Sequence, residues 1–292
     1  MPATETAIVP LTAADVAGAV RVVVEALPPS GPPEPPEGRF ERMRRRVQDA
    51  RATDPGGAWV AHDDRGVVIG LALALRSDGI WILSLLAVSP RAQSGGVGRG
   101  LLAHSLRHAD GCHGAMISSS QDPRAMRAYA RAGFDLRPAV AAAGPVDRAA
   151  LPAGLDSLVR EVGSDGIAQT VPIDRIVRGG GRPAHIATLL EIPDARLYLA
   201  DSGRGYAIGR NGRVFTVVAT DEEAAQALLW RLLADTLADP SGEAILERVT
   251  AGQDWAVDVA LRAGLSLRTD GPVFTRGRLG TLRPFLPTGA YL

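Results

Sequence analysis

Four glycines lie within six residues of the segment "LAVSPRAQSGGVGRGLL", which spans Leu86 to Leu102. An apolar strand run leads into the glycines, and leucines at helical spacing follow them. Bare main-chain N–H groups at a helix start, together with the helix dipole, form a site for an anion. Glycine permits positive φ angles and lets a phosphate approach the backbone closely. The segment therefore predicts a phosphate-binding turn, and the alternative is a glycine-rich turn that binds no ligand.

Two common phosphate-binding loops do not fit this segment. A Walker loop needs a glycine-lysine pair, and all 32 basic residues of the chain are arginines. The dinucleotide fingerprint needs the spacing G-x-G-x-x-G, which Gly96, Gly98 and Gly100 lack. A metal site is also disfavoured, because His104 and His108 have suitable helical spacing but no third ligand is evident.

A second segment, "DPRAMRAYARAGF", predicts a helix with clear ends. Asp122 suits the N-cap and Pro123 the first helical position. Gly133 suits the left-handed residue that closes the helix. The helix carries Tyr129, which is either a core aromatic residue with a polar tip or a proton donor.

These two segments carry a family resemblance. The motif V-x-P-x-x-Q-x-x-G-x-G, from Val88 to Gly98, resembles the acyl-CoA signature of the GNAT superfamily of N-acetyltransferases. The helix "DPRAMRAYARAGF" resembles the next motif of that family, in which a tyrosine precedes Gly-Phe by four residues. The resemblance extends over about residues 7–142.

The resemblance implies a role for each matching position. The main chain of Leu86, Ala87 and Val88 would run along the pantetheine arm of acetyl-CoA. The pyrophosphate would bind main-chain amides of the turn, namely Gln93, Ser94, Gly95, Gly96, Val97, Gly98 and Arg99. Asp122 stands where the family has asparagine, and a carboxylate cannot donate a hydrogen bond to pantetheine. Tyr129 would be the general acid, because a tyrosine hydroxyl can protonate a leaving thiolate.

The group that deprotonates the amine is not marked. The central strand "GIWILSLLAV" has no carboxylate, whereas many GNAT enzymes carry a glutamate there. Ser84 could orient a water molecule, as could Ser118–Ser120. His62, Asp63 and a carboxylate at Leu292 are further candidates, and none is favoured. Much of the rate would then come from holding amine and thioester together.

The acceptor is an unidentified primary amine, on a small molecule or a peptide. By resemblance, the region between the first two helices lines its site. "PPSGPPEPPEG" lies there, and its Glu34 and Glu37 would attract a cationic amine unless the stretch is a solvated linker. Trp59 and Trp81 are predicted to be core residues.

The order of strands and helices predicts an α/β chain of two GNAT-like domains, each a mixed, mostly antiparallel sheet flanked by helices. The boundaries are 1–145 and 146–292. Aligning "YARAGF" with "ALRAGL" places Gly264 opposite Gly133 and Ala260 opposite Tyr129. The second half has "VVATDEEAAQALL" where the first has its glycine turn. A capping box starting at Thr220 and the carboxylates of residues 221–223 would close that helix start to a phosphate.

Composition limits the partners. The net charge of zero favours neither nucleic acid nor an anionic membrane. One cysteine, no signal peptide and no long apolar run predict a cytoplasmic protein. The sequence leaves open whether the chain forms a homodimer. We expect an N-acetyltransferase that uses acetyl-CoA and no metal. The alternatives are a non-catalytic acyl-CoA-binding sensor or scaffold, and a second active site in the C-terminal half.

Overall fold

A computed structural model describes residues 6–27, 36–238 and 242–292. The chain forms two compact units. The first comprises the chain up to Arg76 together with Trp81–Cys112, and the second comprises Ser77–Ile80 and His113–Leu292. Among the described residues, no helix is both long and apolar enough to cross a membrane. Residues 28–35 of the predicted loop, with Glu34, lie outside the described residues. The prediction is wrong for the last three residues, 36–38, because they, Glu37 among them, form the first turn of the helix Pro36–Thr53.

The first unit is an antiparallel sheet with helices. Its elements are β1 (Ala7–Pro10), α1 (Val16–Ala26), α2 (Pro36–Thr53), β2 (Ala58–His62), β3 (Val68–Ser77), β4 (Ile80–Val88) and α3 (Val97–Leu106). The strands lie in the order β1-β2-β3-β4. The sequence predicts each of these elements, but α2 begins three residues before the predicted Arg39. A proline is favourable at the first position of a helix, and here that position is Pro36.

The second unit contains a longer mixed sheet. Its elements are β5 (Gly114–Ser118), α4 (Pro123–Arg131), β6 (Asp135–Pro145), β7 (Val159–Val162), α5 (Ile167–Val177), α6 (Pro183–Leu190), β8 (Arg196–Ala200), β9 (Gly205–Arg210), β10 (Arg213–Ala219), α7 (Glu222–Ala234), β11 (Glu243–Thr250), α8 (Asp254–Arg262), β12 (Ser266–Gly277) and β13 (Phe285–Leu286). The strand order is β5-β12-β6-β11-β10-β9-β8-β7, and β13 pairs with β10. The predicted fold class, α/β with mostly antiparallel sheets flanked by helices, is confirmed.

Two strands of the second unit are exchanged between the halves of the sequence. β12, from the C-terminal half, pairs on one side with β5 and on the other with β6. β6, from the N-terminal half, pairs with β12 and with β11. Each half therefore places its last long strand beside the other half's fifth strand. The domain boundary at 145/146 stays a prediction, and strands from both sides of it alternate in this sheet.

The helices before these exchanged strands end in the same way. Gly133 follows α4 with a φ of 82°, and Gly264 follows α8 with a φ of 83°. The residue after each glycine donates its main-chain N–H to the carbonyl of Tyr129 or Ala260, at 3.2 and 2.9 Å. Positive φ favours glycine at both places. The alignment of "YARAGF" with "ALRAGL" therefore matches equivalent positions.

Candidate active site

The glycine segment forms a turn between β4 and α3. Ser94 and Gly96 both have positive φ angles, 68° and 89°, so the chain reverses sharply there. Gln93 braces the turn, because its side-chain amide donates to the carbonyl of Val88 at 3.0 Å. Ser89 is buried and donates its hydroxyl to the carboxylate of Glu25 at 3.0 Å. These contacts fix the path of the chain from the strand into the helix.

The start of α3 is open. Gly96 is its N-cap, and no side chain accepts a hydrogen bond from the first turn. The N–H of Gly100 donates to the carbonyl of Gly96 at 3.0 Å, which begins the helical pattern. Within the described part of the chain, no acceptor lies on the N–H groups of residues 94–99. The exposed side chain of Arg99 lies beside Gly96 and adds positive charge. The turn is suited to an anion.

At two of the four glycines, neither the backbone conformation nor the neighbouring atoms require glycine. Gly96 needs its positive φ, and a Cβ on Gly100 would lie 2.6 Å from Cδ1 of Ile8. At Gly95 and Gly98, by contrast, the nearest atoms would lie 3.6 and 3.5 Å from a Cβ. Such room would accept alanine at both positions, and at Gly98, which lies within α3, alanine would favour the helix by about 1 kcal/mol over glycine. A bare surface that the protein itself does not need fits the close approach of a phosphate.

Ser84 on β4 is held by an arginine that the sequence analysis did not identify. Ser84 is buried, and its hydroxyl accepts a hydrogen bond from Nη2 of Arg46 at 2.9 Å. The same nitrogen donates to the main-chain oxygen of Ser84. Arg46 lies on α2, within a run of three arginines, 38 residues before Ser84. The role of Ser84 in orienting water stays a prediction, and its hydroxyl retains a proton to donate.

Tyr129 is almost completely buried on α4. Its ring meets Phe274 of β12 edge to face, with centroids 5.4 Å apart. Burial raises the pKa of Tyr129 well above its ordinary value, and the negative charge of Asp122 raises it further. No residue of the described ranges makes a hydrogen bond to its hydroxyl. The hydroxyl of Tyr129 is therefore protonated and can donate a hydrogen bond to a ligand.

Asp122 caps α4, as predicted from the sequence. Its carboxylate accepts the main-chain N–H of Arg124 at 2.8 Å, and the Arg124 guanidinium lies 2.8 Å away. The hydrogen bond from the Arg124 side chain lowers the pKa of Asp122. The carboxylate is thus ionised and engaged within the helix start. Its contact with pantetheine stays a prediction that this geometry does not favour.

The remaining polar candidates have partners within the protein. His62 lies 2.9 Å from Asp15, and Asp63 accepts main-chain N–H groups of its own turn. His108 lies 3.1 Å from Asp54, whereas His104 contacts the carbonyl of Gly100. No cluster of three or more metal-ligating side chains occurs among the residues for which the structure gives positions. Trp81 is a core residue, and Trp59 packs against His104.

In the C-terminal half, α7 corresponds to α3, and a side chain caps its N-terminus. Asp221 is the N-cap of α7, and its carboxylate accepts the N–H of Ala224 at 3.0 Å. The predicted capping box placed the cap at Thr220, one residue too early. Arg204 lies 3.1 Å from Asp221 and 3.5 Å from Glu223. An anion would meet two carboxylates here instead of bare amides.

The strand beside this helix is covered by the chain's own C-terminal segment. β10 and β11 pair in parallel at Arg213 and Ile245. Farther along β10, β13 pairs with Val217 and Val218, and the N–H of Ala219 donates to the carbonyl of Pro284 at 3.2 Å. Aligning "VFTVVAT" with "ILSLLAV" makes Val218 and Ala219 equivalent to Leu86 and Ala87, the positions that the resemblance assigns to pantetheine.

The last residue of this C-terminal segment is also held inside the second unit. The main-chain oxygen of Leu292 accepts a hydrogen bond from Arg178, in the interior of the second unit. Leu292 itself is fully buried. Its part in proton transfer, one of the alternatives considered from the sequence, stays a prediction without a contact that favours it.

The sequence comparison agrees with this geometry. Residues 23–134 match the profile of the Acetyltransferase (GNAT) family. This part of the chain is therefore similar to the GNAT family. This segment contains both the glycine turn and the helix with Tyr129. No curated protein matches the sequence at a significant level.

Solved structures extend the likeness in fold over nearly the whole chain. An acetyltransferase candidate from Pyrococcus horikoshii is 16% identical, with a TM-score of 0.74 over 98% of this chain and 92% of that one. A GCN5-related N-acetyltransferase from Sphaerobacter thermophilus is 17% identical, with a TM-score of 0.60 over 94% and 96%. A tandem GNAT protein from the clavulanic acid biosynthesis pathway is 16% identical, with a TM-score of 0.56 over 94% and 98%. At these identities the likeness concerns the fold, and it is consistent with the predicted tandem form.

Proposed function

We propose that the protein is an N-acetyltransferase that transfers the acetyl group of acetyl-CoA to a primary amine by direct attack in a ternary complex. The uncapped glycine turn at the start of α3 is the observation that carries the proposal. Its free amides and Arg99 suit a pyrophosphate, and Gly95 and Gly98 leave room that the protein does not use. The match of residues 23–134 to the GNAT family profile supports acyl transfer.

The reaction forms a C–N bond and breaks a C–S bond. The main chain of residues 86–88 would align the pantetheine arm, and the amine nitrogen would attack the thioester carbonyl carbon. The amine loses one proton and the departing sulfur gains one. The hydroxyl of Tyr129 would donate a hydrogen bond to the sulfur as negative charge develops there. Because its pKa is raised, the proton is held strongly, so stabilisation of the thiolate is its main contribution.

The amine would enter as the free base. β4 contains no carboxylate from Ile80 to Val88, and Ser84 is a hydroxyl that accepts from Arg46. Alignment of the neutral amine with the thioester can supply a large part of the rate. The same lack of a carboxylate favours the second candidate, a non-catalytic acyl-CoA-binding protein. Transfer activity separates the two.

Gly98 provides the test of the donor site. Replacing Gly98 with alanine adds a methyl group that the protein accommodates, so we expect unchanged or slightly increased stability, by up to about 1 kcal/mol. Acetyl-CoA affinity should fall, because the methyl group occupies the phosphate side of the turn. Calorimetry should give one site per wild-type chain, and a panel of amines should accept acetyl. Binding without any transfer would favour the sensor, and no binding at all would refute the donor site.

A further inference from the structure

One arginine of the second unit has a backbone conformation that favours glycine. Arg248 lies inside β11 with a φ of 60°. The register of β11 against β6 shifts between Leu246 and Val249, so Arg248 is part of a β-bulge. Among the residues that the structure describes, no other non-glycine residue with positive φ lies within a strand. Such a conformation persists where other contacts hold it, and bulges of this kind often direct a side chain toward a functional site.

The contacts of Arg248 show where its side chain is directed. Its main-chain N–H donates to Oδ2 of Asp270 on β12 at 2.8 Å. Its Nη1 donates to Oε2 of Glu247 at 3.1 Å, and its Nε donates to the hydroxyl oxygen of Ser118, the last residue of β5. Glycine would suit the backbone of this bulge but could not contact Ser118. The bulge therefore directs a side chain of the C-terminal half to a strand of the N-terminal half.

Ser118 and Tyr129 lie on opposite faces of the same pair of strands. Tyr129 packs on Phe274 of β12, and Phe274 pairs with Ile117 of β5. Ser118 pairs with Val273, the preceding residue of β12. Paired residues share a face of the sheet, and successive residues alternate between faces. The side chain of Ser118 therefore points away from the face that Tyr129 covers.

The hydroxyl of Ser118 retains capacity for a further hydrogen bond. A serine oxygen can accept two hydrogen bonds and donate one, and Arg248 uses one of the acceptor positions. Within the described ranges the hydroxyl has no other partner, and Ser118 is half-buried. The hydrogen bond from Arg248 fixes the position of the oxygen, so its remaining lone pair has a defined direction.

We propose that Arg248 is a positioning residue for the acceptor amine and acts through Ser118. The inference rests on the proposed N-acetyltransferase function, in which Tyr129 stabilises the departing sulfur. The amine nitrogen and the sulfur lie in different directions from the same carbon in the tetrahedral intermediate, so the face opposite Tyr129 suits the amine. The oxygen of Ser118 accepts an N–H of the neutral amine, which turns the nitrogen lone pair toward the thioester carbon.

The test is a double-mutant cycle on acetyl transfer to ethylamine, cadaverine and lysine. Ser118→Ala removes the oxygen that accepts from the amine, and Arg248→Gly removes the guanidinium and suits the positive φ. Each change should lower kcat/KM for the amine about 10-fold and leave the Kd of acetyl-CoA unchanged. The double variant should lose no more than either single variant, because both changes remove the same oriented hydrogen bond.

Arg137→Met is the matched control. Arg137 has the same charge and pairs with Val273 in the same sheet, but it donates to Oγ1 of Thr275 at 3.1 Å instead of to Ser118. Any effect of Arg137→Met on kcat/KM should therefore add to that of Ser118→Ala. The control separates a loss of positive charge near this strand pair from the loss of the contact between Arg248 and Ser118.

The outcomes separate a kinetic role from a purely structural contact. A lowered unfolding midpoint with unchanged kcat/KM in Arg248→Gly, or losses that add in the double variant, would overturn the role of Arg248 and leave the enzyme function intact. Absence of transfer by the wild-type protein to every amine would overturn both proposals. If Arg248→Gly does not fold, Arg248→Met retains the length of the side chain without a donor. It should show the same loss, and kcat/KM equal to the wild type would contradict the proposal.

Discussion

Tyr129 differs from the other buried tyrosines in what its hydroxyl contacts. The hydroxyl of Tyr198 donates to Asp235 at 2.8 Å, and that of Tyr206 donates to Asp174 at 2.6 Å. No such bond to Tyr129 occurs among the described residues. An internal hydrogen bond contributes about 1 kcal/mol to stability, which Tyr129 does not provide. Its hydroxyl can therefore be removed without a cost in folding, which makes its role testable.

Tyr129→Phe should lower kcat by roughly 100-fold and leave the unfolding midpoint within experimental error. The control is Tyr198→Phe, which should lower the unfolding free energy by about 1 kcal/mol and preserve activity. Because burial raises the pKa of Tyr129, its hydroxyl stays protonated up to about pH 10. Wild-type kcat should therefore show no loss from its ionisation below that pH. Equal activity in Tyr129→Phe and wild type would exclude a direct role.

Single residues could be predicted where their neighbours in sequence define their role. The cap at Asp122, the left-handed glycines 133 and 264 and the turn at 93–99 follow from local spacing. The contact of Arg46 with Ser84 could not be predicted this way, because it joins residues 38 positions apart through the packing of α2 on β4. The sequence shows that α2 is rich in arginine, but it does not show which residue Arg46 contacts.

The two halves of the sequence differ in whether a side chain caps the helix that follows their fourth strand. α4 and α7 are capped by Asp122 and Asp221, whereas no side chain caps α3. Such a cap stabilises a helix by about 1 kcal/mol. The first half lacks that stabilisation at α3, and a ligand that accepts from the free amides would supply it. In the second half the cap and β13 together occupy the corresponding positions.

Asp221→Ala should lower the unfolding free energy by about 1 kcal/mol, because the N–H of Ala224 loses its acceptor. The variant should still bind one acetyl-CoA per chain, since β13 continues to pair with β10. Denaturant unfolding and calorimetry measure the two effects. Glu222→Gln is the control, which removes a charge from the same turn and leaves the cap in place. A second acetyl-CoA site in Asp221→Ala would show that the cap alone had closed this half.

Most helices and strands could be predicted from periodicity and from glycine and proline positions. The sequence analysis did not assign β7, α5, α6, β12 or β13. β12 contains an irregularity between Asp270 and Val273, which interrupts the alternation that marks a strand. β13 has two residues, too few for any periodic signal. β12 and β13 depend on partners distant in sequence, and the pairing of β12 with β5 and β6 joins the two halves.

Because β6 and β12 are exchanged, each half of the sequence needs strands of the other half to complete its sheet. The sheet of the second unit contains β5 and β6 from before residue 145, with β12 inserted between them. A chain cut at 145/146 would therefore separate both β5 and β6 from β12, and β6 also from β11. Neither sequence half completes its own sheet.

A fragment of residues 1–145 should not fold cooperatively by itself. We expect it to aggregate or to unfold without a transition, because unpaired strand edges promote association. Co-expression with residues 146–292 should restore a soluble complex that binds acetyl-CoA. Circular dichroism and size-exclusion chromatography measure folding and assembly. A monomeric 1–145 fragment with a sharp unfolding transition would contradict the requirement for β12.

The exchanged strand also affects how the protein is made. β12 is translated about 120 residues after β6 ends, a delay on the order of ten seconds at ordinary rates of synthesis. During that interval β5 and β6 have already been synthesised, while the strand that lies between them in the sheet does not yet exist. Nascent chains at this stage expose strand edges to one another and to chaperones. The pairing of β5 and β6 in the N-terminal half therefore cannot be completed until β12, near the C-terminal end of the sequence, has been translated.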